Sequence, residues 1–188
     1  MTKDYLVVLD ACVLVGAALR DTLLRLAESP RLYVPKWSAD IMAEVERTLQ
    51  GKFKKKTEQT RHLVEELQKS FPEAWVQGYQ DLIPALKNNE KDRHVLAVAV
   101  RCGAQTVVTF NLRHFHPEAL QPYDIEAVHP DEFLVNQFHL DEALVTSKLS
   151  EQATNIDRTV EEQIRAFHQT KALPLFTQTI AGVLGIEL

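Results

Sequence analysis

Four short apolar runs, each close to a helical pattern, constrain this chain more than any other feature. They are Tyr5-Leu-Val-Val-Leu9, Leu32-Tyr-Val-Pro35, Gln105-Thr-Val-Val-Thr-Phe110 and the weaker Ile125-Glu-Ala-Val128. Rich in β-branched residues and with little polar alternation, they have the pattern of strands buried on both faces, as in a parallel sheet. Helical patterns alternate with them. Arg20 to Glu28 is one, with Asp21 a candidate cap; a second starts after Ser38 and carries Ile41, Val45 and Leu49 at four-residue spacing. Further helices are expected from Thr57 to Lys69 and from Asp92 to Cys102. The latter has no polar face across Val95–Val100, so it should be buried, with Gly103 as its stop. Trp75 to Leu86 has no clear period, and a short strand near Trp75-Val76 is one option. Strands alternating with helices predict an α/β domain with a parallel sheet.

After Pro130 the strand signals stop. Helical patterns follow at Asp131–Phe138, Asp141–Ala153, Thr159–Gln169 and Leu173–Leu184, the third opened by the capping-box pattern Thr159-Val-Glu-Glu162. The expected layout is a domain over residues 1–130 and an acidic helical extension over 131–188. Phe133, Leu134, Val160, Ile164, Phe167, Leu175 and Phe176 give that extension apolar positions, which should pack on the α/β domain or a second subunit.

Composition removes other classes. With 188 residues, 45% hydrophobic, 25% charged, six Gly, eight Pro and two Cys, the chain is neither disordered, collagenous nor a disulfide scaffold. The apolar stretch Leu6–Leu19 is interrupted by Asp10 and falls short of the roughly 20 residues a span needs. As a leader it lacks a positive n-region, so no membrane and a cytoplasmic location are expected, with Cys12 and Cys102 as buried thiols. Charge is unevenly spread. Residues 131–188 hold nine acidic and four basic residues, which accounts for the net −5, and the rest is balanced. Within it Arg47, Lys52, Lys54, Lys55, Lys56 and Arg61, against Glu58, form a local basic strip that could touch phosphates or be a solvated face.

In a parallel α/β sheet, ligands gather beyond the carboxyl ends of the strands. Asp10 ends the first strand, and a lone carboxylate in so apolar a context is costly unless paired or bound to a metal. Asn111 follows the strand that ends at Phe110, either as a site residue or as a turn residue. Asp92 opens the buried helix, where it could equally serve as a cap. Glu44 and Glu46 both flank the apolar stripe of their helix, and periodicity prefers neither.

These residues resemble a family. Leu-Asp10-Ala-Cys-Val-Leu, Ile41-Met-Ala-Glu44-Val-Glu-Arg47-Thr-Leu, Lys91-Asp92-Arg-His-Val-Leu-Ala-Val-Ala99 and Val107-Val-Thr-Phe-Asn111-Leu-Arg-His-Phe115 stand in the order and spacing of a PIN domain, over roughly residues 5–130. The resemblance implies a three-layer α/β/α fold with a central parallel sheet, followed here by the helical extension. It also implies a metal-dependent endoribonuclease acting on single-stranded or looped RNA, often the toxin of a VapBC-type pair held by an antitoxin, and commonly a homodimer. It selects Asp10, Glu44 and Asp92 as ligands for Mg²⁺ or Mn²⁺, with Asn111 assisting, and expects 5′-phosphate and 3′-hydroxyl ends. Three positions depart from the family pattern: Cys12 stands where many members have Asn, Asn111 at or near the fourth acidic position of many members, and His114 where some have an acid. Three carboxylates should then hold one ion more securely than two.

The residue types suit that chemistry. Hard oxygen ligands suit Mg²⁺ and Mn²⁺, and three converging acids with no Lys or Arg beside them would repel one another until a cation joined them. Rival readings are a PIN fold that has lost cleavage and only docks RNA or protein, and a nuclease of RNA or DNA processing with no toxin role. Other constellations point less far. His114-Phe-His116 invites zinc but lacks further ligands nearby, and polar surface is the plainer reading. His94 reads as a surface or hydrogen-bonded histidine, and Trp37 and Phe53 as packing residues that could alternatively stack on bases.

Overall fold

The first apolar run lies where its composition requires. In the computed structural model, which describes residues 4–188, β1 spans Leu6–Leu9, and Val7, Val8 and Leu9 are completely buried. Backbone polar groups at that depth need partners, and both sides of β1 supply them. β2 (Val34–Lys36) pairs with it in parallel, Val7 opposite Pro35, and β3 (Thr106–Val108) pairs on the other side, Val7 opposite Thr106. β4 (Glu126–Val128) continues the parallel sheet beside β3, giving the order β2-β1-β3-β4. Pro35 has no N–H to give a ladder, which suits the edge position of β2.

Two strands end elsewhere than expected. β2 runs one residue past Pro35, and Trp37 then makes a single parallel bridge with Trp75. That bridge is all that forms of the strand considered near Trp75-Val76; 3₁₀ helix occupies Pro72–Ala74 and Gln80–Ala85. β3 covers only Thr106–Val108, because the next residues turn their groups to other partners: the Phe110 N–H donates to Cys12 Sγ and the Asn111 N–H to the Thr109 hydroxyl.

The helices are α1 (Ala11–Leu14), α2 (Ala17–Ala27), α3 (Ala39–Gly51), α4 (Thr57–Ser70), α5 (Arg93–Cys102) and α6 (Pro117–Leu120). Ser38 Oγ accepts from the Ile41 N–H, satisfying one of the donors that a helix start leaves orphaned. Below it Ile41, Met42, Val45 and Leu49 bury one face of α3. α5 is interior, with Val95 through Ala99 inaccessible to solvent and packed on β1 and β3. Gly103 ends it in the left-handed region at φ 69°, where its N–H donates to the last carbonyls. Helices flanking a central parallel sheet make a three-layer α/β/α fold.

After β4 come α7 (Pro130–Leu140), α8 (Glu142–Thr154), α9 (Val160–Thr170) and α10 (Pro174–Leu184). The chain divides into two compact units: residues up to Arg20 with Tyr33–Val128, and Asp21–Leu32 with His129–Leu188. In the second, α10 packs on α7 and α9, burying Phe133, Leu134, Ile164, Phe167 and Phe176; Leu175, expected in that stripe, is instead 57% exposed. Thr22 Oγ1 donates to buried Gln152 at 2.8 Å, tying the early segment to α8. The reciprocal bonds of Thr159 and Glu162 open α9 as the pattern implied. Among the described residues no helix is long and apolar enough to cross a membrane.

Candidate active site

The sheet order sets the place. From β1 the chain passes to β2 on one side, while β3 lies on the other, so the loops leaving the carboxyl ends of β1 and β3 diverge. Asp10 sits at that switch point, 2% exposed, its N–H bonded to the Val108 carbonyl at 3.1 Å. Thr109 donates its hydroxyl to Asp10 Oδ2 at 2.6 Å and accepts from the Asn111 N–H at 2.9 Å, linking two of the four expected site residues.

Cys12 supplies part of what an amide would. Its Sγ lies 3.2 Å from Asp10 Oδ2 as donor and accepts from the Phe110 N–H at 3.3 Å. Burial, and then the charge of Asp10, push the thiol up to about 12, so it stays protonated and keeps its proton to donate. Cys12 and Cys102 are both free thiols, half-buried rather than fully so.

An open cavity of about 620 Å³ lies alongside, lined by Asp40, Glu44, Arg47, Lys91, Asp92, His94, Asn111 and His114. Asp40, Glu44 and Arg47 stand at i, i+4 and i+7 of α3, one stripe of the helix. That stripe explains why Glu44 reaches the cavity and Glu46 does not. Asp10 lies outside the lining itself. Among the described residues no three His, Cys, Asp or Glu side chains form a ready-made metal-ligating group.

The electrostatics nonetheless join the acids. Burial raises the Glu44 carboxyl above its ordinary value, the charges of Asp10 and Asp92 raise it further, and His94 and Arg47 oppose them. The expectation of acids without neighbouring cations is therefore corrected: Arg47 and Lys91 line the same cavity, and His94 Nε2 lies 3.6 Å from Glu44 Oε2. Asp92 is 6% exposed and heads α5, yet its side chain makes no cap hydrogen bond; its Oδ2 lies 2.5 Å from His114 Nδ1. His116 Nε2 meets the Lys87 carbonyl at 3.1 Å. Neither His114 nor His94 is mere surface.

Sequence reasoning missed Asp40, Lys91, His94 and His114. Asp40 had a legible signal, the i, i+4 spacing to Glu44, and Tyr79 now holds it through a 2.6 Å hydrogen bond from its hydroxyl to Oδ2. The basic strip separates. Arg47 lines the cavity; Lys52, Lys54, Lys55 and Lys56 occupy the exposed connection between α3 and α4; Arg61 lies on α4. Lys55 and Phe53 line a second cavity of about 400 Å³, together with Val15, Arg20 and Leu63. Trp37 is fully buried and edge-on to Phe71 and Trp75, so it packs and does not stack on bases.

A parallel sheet with acids and a cavity at its switch point defines a class, and the comparisons agree with it. The family model described as "PIN domain" matches residues 6–113, more than half of the sequence, and the chain belongs to that family. Over 67 residues it is 57% identical to "Putative ribonuclease VapC50" of Mycobacterium tuberculosis (strain ATCC 25618 / H37Rv). The match covers 36% of this chain and only 40% of that relative's length. No solved structure matches the chain.

Proposed function

We propose that this chain is a metal-dependent endoribonuclease of toxin type, cleaving single-stranded or looped RNA. The observation that carries the reading is the gathering of Glu44, Asp92 and Asn111 on one cavity, where burial and then the charge of Asp10 raise the Glu44 carboxyl. A carboxylate whose ionisation is disfavoured by burial and by acidic neighbours suits a cation more than it suits packing. Similarity to a protein whose name includes ribonuclease supports RNA as the substrate class.

The donor chemistry fits Mg²⁺ or Mn²⁺, since Asp10, Glu44 and Asp92 are hard oxygen donors and Asn111 adds an amide to the cavity that Glu44 and Asp92 line. When bound, a divalent cation would supply a water of lowered pKa and neutralise charge on the scissile phosphate. The residues do the rest. Thr109 and Cys12 fix the direction of Asp10 through Oδ2. Glu44, partly exposed, is placed to reach the substrate side, and Arg47 and Lys91 offer the phosphates opposite charge at the cavity wall. The lysines between α3 and α4 extend that attraction along a strand of RNA. In this reading residues 1–130 are the nuclease domain and 131–188 an extension for structure or assembly without a metal ligand. An antitoxin and a second copy of the chain are its partners, and the cytoplasm is its place.

The test is RNA cleavage by the full chain. EDTA should abolish it, and Mn²⁺ should restore it at least as well as Mg²⁺, because Mn²⁺ dehydrates more readily in a ligand-poor site. Cleavage undiminished in EDTA would overturn the reading.

A further inference from the structure

Asp92 is in an unusual situation for a helix-heading carboxylate. An Asp at that position ordinarily turns onto the N–H groups of the first turn, which the helix leaves unsatisfied and which favour negative charge. Here it has no such bond. Its Oδ2 instead faces His114 Nδ1, from the turn beyond β3.

His114 is itself anchored twice by its main chain. Its carbonyl accepts from the Asn89 N–H at 3.1 Å, and its N–H donates to the Asn111 carbonyl at 2.8 Å. The Asn89 carbonyl accepts from the Asp92 N–H at 3.0 Å, and the Asn89 side chain accepts from the Lys91 N–H at 3.1 Å. The imidazole thus approaches Asp92 from a frame that holds both residues, and that frame survives any change of the His114 side chain. With the carboxylate ionised, two acceptors cannot face each other, so Nδ1 carries the proton and donates.

We propose that His114 is a positioning residue: its imidazole holds Asp92 toward the cavity and out of the capping rotamer that α5 would otherwise draw it into. The proposal rests on the metal-dependent reading above and deepens it. It is also distinguishable from a merely structural brace. Loss of a brace destabilises the fold. Loss of this imidazole frees Asp92 to cap α5, so stability should hold while the metal-facing carboxylate is lost. His116, which reaches the Lys87 carbonyl from the same segment, serves as the control for bracing alone.

The experiment is Mn²⁺ binding to the full chain, followed by the electron paramagnetic resonance of free Mn²⁺, with thermal melting of the metal-free protein beside it. His114→Ala should weaken Mn²⁺ binding about 10–100-fold, the usual effect of losing a partner behind a ligand, with melting unchanged or slightly raised. His114→Asn, whose amide N–H can stand near the place of Nδ1, should recover most of that loss. His116→Ala should leave Mn²⁺ binding within about twofold of wild type, well below the loss expected for an outer-shell partner. Unchanged Mn²⁺ affinity in His114→Ala overturns the positioning role. So does a loss that His114→Asn does not relieve and that a fall in melting temperature accompanies. Wild type that binds no Mn²⁺ overturns the metal reading, and the positioning role with it, a failure seen in the parent and not in the variants.

Discussion

Each unit of this molecule buries carboxylates, and treats them in opposite ways. In the helical unit Asp131, 4% exposed, spends both oxygens on main-chain donors at the start of α10: Oδ1 takes the Phe176 N–H at 2.8 Å and Oδ2 the Leu175 N–H at 3.0 Å. Charge, hydrogen bonds and helix dipole all agree there. In the sheet unit Asp92 forgoes the cap it heads, Glu44 is raised by burial and by its neighbours, and Asp10 rests on a hydroxyl and a thiol. One acid completes a structure. The other three stand at or beside a cavity, Glu44 with its ionisation disfavoured, which is where function is to be sought.

Substitutions can break or sharpen that contrast. The largest effect should come from Asp10→Asn. RNA cleavage by the purified chain should fall more than about 100-fold, beyond what loss of an outer-shell partner costs, while circular dichroism shows an intact fold. Next is Asp131→Ala, which removes two charge-assisted bonds worth about 2 kcal/mol together. The melting transition should drop about 4–8 °C at this chain length, with cleavage per folded molecule unchanged. If Asp131→Ala abolished cleavage in protein that remains folded, the division between structural and functional acids would be wrong.

Smaller effects concern charge at the periphery. Replacing Lys54 and Lys55 by Gln should weaken RNA binding uniformly across sequences. The slope of log affinity against log salt should fall by roughly 0.7 for each phosphate of a single strand that the variant no longer neutralises. The smallest effect is at Glu44. Its carboxyl is raised in the fold, so its contribution to stability is full below the ordinary carboxylate value and is lost as pH rises through the raised one. Ionised Glu44 therefore opposes folding of the metal-free chain at neutral pH. Because its side chain is 38% exposed, solvent screens most of this, and Glu44→Gln should raise the melting temperature in EDTA by only about 1–2 °C. Below the ordinary carboxylate range the difference should vanish.

The sheet was legible because burial on both faces leaves a local mark: Tyr5–Leu9 and Gln105–Phe110 are short, rich in β-branched residues and show little polar alternation. Capping was legible at Ser38 and Thr159, which act on N–H groups three residues away, but Asp21, expected as a cap, lies inside α2, which starts at Ala17, and pairs with Arg25. What escaped is what distance in sequence hides. The association of Asp21–Leu32 with the residues after β4 depends on contacts such as Thr22 with Gln152. The partnership of His114 with Asp92 spans two separate segments, and nothing in either predicts that Asp92 leaves its cap unmade. Asp40 is different: its helical spacing to Glu44 was in view, and only the absence of a motif around it left it unread.

On the proposed reading, Asp10, Glu44 and Asp92 together hold a divalent cation. Melting of the full chain across a Mn²⁺ titration, wild type beside Asp10→Asn, tests this most directly. A ligand that binds only the folded state at about 100 times its dissociation constant adds roughly 2.7 kcal/mol. The wild-type melting temperature should therefore climb with Mn²⁺ by several degrees, and that of Asp10→Asn should stay nearly flat. Equal climbs in the two proteins, or none in the wild type, would contradict it.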